Sequence, residues 1–98
     1  MPSQPYYLDT KAWVIVRAAE ISKTIDSSEK QRRYEEAEGL LRAAMDSYKA
    51  DDKEAKAESL YHLGYIAKLQ GADDKAKELF LKALEIDPEY RRAKDALK

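Results

Sequence analysis

The chain contains no cysteine. Disulfides, thiolate metal sites and cysteine nucleophiles are therefore excluded. Its single histidine, His62, has no other imidazole to share a metal and no nucleophile placed beside it by a motif. A lone imidazole of this kind is weak evidence for catalysis. Its expected role is structural or at the surface, where Glu58, four residues earlier, pairs with it on a helix. No catalytic residue, cofactor site or metal site is expected. Glycine and proline are scarce, three of each. No long hydrophobic run exists either; Trp13–Val16 is far shorter than a bilayer span. The N-terminus lacks a basic stretch followed by an apolar one, so no signal peptide is expected and the default compartment is cytoplasmic.

Charge is abundant but balanced. Charged residues are 38% of the chain, yet the net charge is −1. The first fifty residues hold eight basic and eight acidic side chains, the rest ten and eleven. No basic block stands out, so neither nucleic acid nor a membrane surface is an expected partner. The short pairs Arg32-Arg33 and Arg91-Arg92 read as solvated turns or helix ends, with an acidic partner segment as the alternative. The acidic pairs Glu35-Glu36, Asp51-Asp52 and Asp73-Asp74 read as helix starts, where carboxylates favour the positive end of the dipole.

Heavy charge, few breakers and a 44% hydrophobic content fit amphipathic helices, each with an apolar stripe. Residues 1–8 form a lead in which Pro5 disfavours helix. Asp9 is the expected N-cap of the first helix, with Leu8 and Trp13 as its hydrophobic staple. Val14, Ala18, Ile21 and Ile25 recur at helical spacing and are expected to face inward. The end of that helix has two readings. Either it stops near Ile25 and Asp26 caps a second, with Glu29 at the box position, or it runs to about Gln31 and turns at Arg32-Arg33. The second is preferred because a clear stripe opens at Tyr34: Tyr34, Ala37, Leu41, Ala44 and Tyr48. Asp51-Asp52-Lys53-Glu54 signals a third helix ending at Gln70-Gly71. A fourth runs from Ala72-Asp73-Asp74 to about Ile86, where Asp87-Pro88 stops it. Arg91–Lys98 starts a fifth, with Ala93 and Leu97 inward.

The segment Ala57–Tyr90 is the most specific part of the chain. Leu60, Leu63, Gly64 and Ala67, followed by Ala76, Phe80, Ala83 and Pro88, resemble the tetratricopeptide repeat pattern in order and spacing. A glycine inside a helix costs roughly 1 kcal/mol against alanine, so Gly64 asks for a packing reason. Close approach of the two helices, with Phe80 filling the space between repeats, supplies one. Three positions depart from the family's preference: Leu60 for Trp, Ala67 for Tyr and Asp73 for Tyr.

The resemblance implies an all-α fold of about five helices. They would form antiparallel hairpins stacked as a short right-handed superhelix in one domain over residues 1–98. Residues 9–50 then form a degenerate hairpin, in which Ala37, Leu41 and Ala44 match Ala76, Phe80 and Ala83. That match needs a connection around Lys49–Ala55 about five residues longer than usual. Residues 57–90 form the complete repeat and 91–98 a partial closing helix.

The resemblance further implies a non-enzymatic scaffold that binds a protein or peptide segment in a concave groove. The groove positions fall on Glu58, Tyr61, Tyr65 and Lys68. Tyr61 and Tyr65 have a competing reading as packing against the first helix. They also stand where the family's carboxylate clamp would want Lys and Asn, so such a clamp is not expected. The alternative function is self-association, a homodimer or part of a larger array, natural or engineered. The aromatic group Tyr6, Tyr7 and Trp13 either caps the array or joins another chain.

Overall fold

In a computed structural model that describes residues 4–98, the chain forms five α-helices and no strand among the described residues. They are α1 (Gln4–Ile21), α2 (Ser27–Ser47), α3 (Lys53–Leu69), α4 (Asp73–Ile86) and α5 (Arg91–Ala96). None is long and apolar enough to cross a membrane. The chain divides into two units between Ser47 and Tyr48.

The first unit is a hairpin of α1 and α2. Helix α1 begins at Gln4, not at Asp9. Pro5 lies in the first turn, where backbone N–H groups have no intrahelical partner and the missing donor costs nothing. Asp9 is therefore a buried residue inside the helix rather than its cap, and Leu8 and Trp13 form no staple across a helix start. The buried stripe is Pro5, Asp9, Ala12, Val16 and Ala19. The stripe expected from periodicity lies on the opposite side: Val14 is 60% exposed and Ile21 70%. Helix α1 is apolar on two faces, and α2 packs on only one of them. The smaller residues won the interior because alanines let the two helix backbones approach.

Helix α1 ends at Ile21, and a hydroxyl-bonded turn follows. The Thr24 N–H donates to Ser22 Oγ at 3.3 Å. Chain reversal is complete by Asp26, whose Oδ1 accepts the Glu29 N–H at 2.8 Å. Asp26 is thus an N-cap, and the uninterrupted helix to Gln31 does not form. The capping box is half made. The Glu29 carboxylate turns forward to Arg32 at 3.2 Å and Arg33 at 3.1 Å. Those arginines sit in the second turn of α2, not in a loop, and Glu35-Glu36 lies mid-helix. Tyr34, Ala37, Leu41, Ala44 and Tyr48 are all buried, as their spacing predicts.

The second unit is built from α3, α4 and α5, with α4 against both others. The connection from α2 is only five residues, 48–52. The extra residues expected in that link are helical instead: α3 starts at Lys53, a turn before the repeat-like segment. Its N-cap is Asp52, without a side-chain capping bond, so the Asp51–Glu54 box is not formed. Tyr48 anchors the link, its hydroxyl 2.9 Å from Ser59 Oγ in the interior.

Helix α3 ends in a complete Schellman turn. The Ala72 N–H donates to Ala67 O at 2.8 Å and the Gly71 N–H to Lys68 O at 3.0 Å. Gly71 takes φ +81°, the left-handed conformation this cap requires. Helix α4 opens with Asp73 and Asp74 at the positive end of its dipole. Asp87-Pro88-Glu89-Tyr90 closes it as a β-turn, with the Tyr90 N–H on Asp87 O at 3.0 Å and Pro88 at the position that favours it.

Candidate functional site

The repeat-like residues assemble the interface between α3 and α4. Leu60, Leu63, Gly64 and Ala67 of α3 are buried, as are Ala76, Phe80 and Ala83 of α4. A Cβ placed on Gly64 would stand 2.5 Å from Phe80 Cε1 and 2.7 Å from Cδ1. The glycine is required there because the phenyl ring occupies the space of a side chain. Pro88 is exposed and stops α4 rather than packing in the core.

Holding α3 by this face leaves Glu58, Tyr61, Tyr65 and Lys68 on its outer side. Glu58, Tyr61 and Tyr65 are partly exposed and Lys68 fully so. All four share one helical stripe at spacings of three and four. The tyrosines are not loose. Tyr61 lies 5.7 Å from Phe80, 6.0 Å from Tyr90 and 6.3 Å from Tyr65 between ring centroids, each pair tilted. Such pairs fix ring orientation and add roughly 0.5–1.5 kcal/mol each. Tyr61 is therefore both a packing residue and part of the outer surface. Its ring partners within the second unit include His62, Tyr65, Phe80 and Tyr90.

A cleft of about 480 Å³ continues this stripe towards the start of α3. Glu54 and Glu58 form one wall, while Tyr90, Arg91 and Arg92 lie at the other. The sequence offers Arg91-Arg92 as a solvated turn or helix end, or as a contact for an acidic partner segment, and does not place them beside α3. They reach the site because the Pro88 turn sets Tyr90 beside Tyr61 of α3, while α5 itself packs on α4. A second depression, about 260 Å³, lies between Lys68, Lys77, Phe80 and Leu97.

His62 is not at the surface: it is 1% exposed, and its ring centroid lies 5.7 Å from that of Tyr61.

The first unit has its own features. Val14, Ile15, Ala18, Ile25 and Arg33 border a hollow of about 310 Å³ on the exposed side of α1. Arg17 pairs with Glu20 at 3.3 Å and lies over the Trp13 ring at 5.8 Å. Burial raises the Tyr34 hydroxyl pKa above its ordinary value, and the Glu20 carboxylate adds to the shift.

The tetratricopeptide repeat model matches residues 26–89. That span takes in α2, α3 and α4, and α1 lies before it. Neither a curated protein nor a solved structure matches the chain.

Proposed function

The chain belongs to the tetratricopeptide repeat family, a family of helical protein-interaction modules, and from that premise we propose that the outer face of α3 binds a peptide segment of a partner protein. The observation that carries this reading is the stripe Glu58, Tyr61, Tyr65 and Lys68. It places two partly exposed aromatic rings between an acid and a base on one rigid helix. Tyrosines of this kind offer apolar area and a hydroxyl at small entropic cost, which suits an extended or helical peptide. The Tyr61 ring is oriented before binding by Phe80 and Tyr90, and Tyr65 lies against Tyr61, which lowers the ordering cost. The reading includes a non-catalytic role, as is typical of such modules.

An array of short peptides probed with the parent chain and with Tyr61→Ala/Tyr65→Ala tests it. The parent should select a subset of sequences, and the double variant should lose them while keeping its helical circular dichroism. Selection unaffected by the double substitution would refute the assignment to this face.

A second reading, self-association, is favoured by one observation. Tyr7, Val14 and Ile21 recur every seventh residue on the uncovered side of α1 and are 63%, 60% and 70% exposed. Such a stripe suits pairing with the same stripe of a second copy around a two-fold axis. Light scattering across a concentration series would show mass rising in the parent and not in Val14→Lys/Ile21→Lys. A constant monomer mass would dismiss it.

A further inference from the structure

The cleft at the start of α3 has a particular charge arrangement. Two of its carboxylates have partners close in the chain: Asp87 Oδ1 accepts the Glu89 N–H at 3.1 Å, and Glu89 meets Lys94 Nζ of α5 at 3.5 Å. The remaining charges sort by element. Glu54 and Glu58, one helical turn apart on α3, make an anionic wall. Arg91 and Arg92, both exposed at the start of α5, make a cationic one. No ion pair joins the two walls among the described residues. About 480 Å³ lies between them, with the Tyr90 ring at the side, 6.0 Å from that of Tyr61.

Opposite charges held apart across an open cleft suit a ligand that brings both signs. A segment with acidic groups alone meets the arginines but faces Glu54 and Glu58. A segment with basic groups alone has the reverse difficulty. Nucleic acid, a uniform polyanion, is disfavoured by the same glutamates. Guanidinium groups favour carboxylates through paired hydrogen bonds, and the glutamates accept from lysine or arginine.

We propose that this cleft selects a peptide segment carrying side chains of both signs. A lysine or arginine lies against Glu54 and Glu58, and an aspartate or glutamate against Arg91 and Arg92. An apolar residue between them rests on Tyr61 and Tyr90. The proposal rests on the α3 reading above and narrows it to a segment chemistry. Because the walls are solvated, the selectivity is modest and weakens with salt.

The test uses fluorescein-labelled peptides in which a Leu-Ala core is flanked by Lys and Glu in either order, by two Lys, by two Glu or by two Gln. Fluorescence anisotropy at low salt gives the affinities. The better mixed-charge peptide should bind about tenfold more tightly than any of the single-sign or neutral ones. Arg91→Glu/Arg92→Glu should move the preference to the two-lysine peptide, and Glu54→Lys/Glu58→Lys to the two-glutamate peptide. These side chains are exposed or partly so, and circular dichroism checks that each variant remains helical. Equal affinities across the set, no binding by any peptide, or a ranking unchanged by the wall inversions would overturn the proposal. If peptides bind without a charge ranking yet are lost in Tyr61→Ala/Tyr65→Ala, the cleft chemistry fails and the α3 reading stands.

Discussion

Gly64 and Phe80 are packed so closely that the ring of one residue occupies the place where the other would carry a Cβ, 2.5 Å from Phe80 Cε1. This relationship fixes how α3 lies on α4, and with it which face of α3 is left outside. The outer stripe of Glu58, Tyr61, Tyr65 and Lys68 follows from the inner contact.

The contact predicts an inversion of the usual glycine rule. In a helix interior, alanine in place of glycine normally stabilises by about 0.5–1 kcal/mol. Gly39 is exposed in α2 with nothing near its absent Cβ, so Gly39→Ala should follow the rule. Gly64→Ala should instead destabilise, and Gly64→Leu by on the order of 1–3 kcal/mol, since the buried Phe80 ring must shift. Thermal or urea melts of the three variants check the signs.

The left-handed cap of α3 yields a second prediction. Gly71 has φ +81° and open space around its Cα, so only backbone strain opposes a side chain. Gly71→Ala should cost about 1–2 kcal/mol. A denaturant midpoint unchanged from the parent would contradict the assigned conformation.

The start of α2 yields a third. Removing the Asp26 carboxylate leaves the Glu29 N–H without its 2.8 Å acceptor. Asp26→Ala should lower stability by about 1 kcal/mol, and Asp26→Ser by less. Equal stability of all three forms in a urea titration would contradict the cap.

Tyr34 gives a pH dependence. Burial first, and the Glu20 charge second, raise its folded pKa above the ordinary value near 10. The unfolded chain therefore releases this proton at lower pH than the folded one. The stabilising contribution is complete below about pH 10 and is lost as pH rises through the folded pKa. Tyr34→Phe should flatten the alkaline fall in unfolding free energy, and Glu20→Gln should make the fall smaller, because it brings the folded pKa down towards the ordinary value. Melts across the alkaline range measure both.

How much of this was legible in the chain depends on which residues carried the signal. The α3–α4 hairpin was readable because Gly64, Phe80 and the alanines have few other reasons to occur at that spacing. The α2 stripe was readable for the same reason, with Tyr34, Ala37, Leu41 and Ala44 all buried. Helix α1 was misread because it has two apolar faces, and the larger residues, Val14 and Ile21, lie on the uncovered one. Hydrophobic size alone does not say which face a neighbour occupies; Ala12, Val16 and Ala19 won through close packing. The boundary between α1 and α2 was misplaced because Arg32 and Arg33 looked like a turn, whereas Glu29 binds both into the helix. The outer stripe of α3 was legible as a pattern. Tyr90, Arg91 and Arg92 were not, since the Pro88 turn brings them beside Glu58 in space only.

The most direct measurement is the map of backbone amide NMR shifts when the tightest-binding array peptide is added. The account predicts that the largest changes fall on Glu58, Tyr61, Tyr65 and Lys68, extending to Arg91 and Arg92, with little change on α1 at Val14, Ala18 and Ile21. Changes concentrated on α1, with the α3 stripe unmoved at saturation, would contradict it.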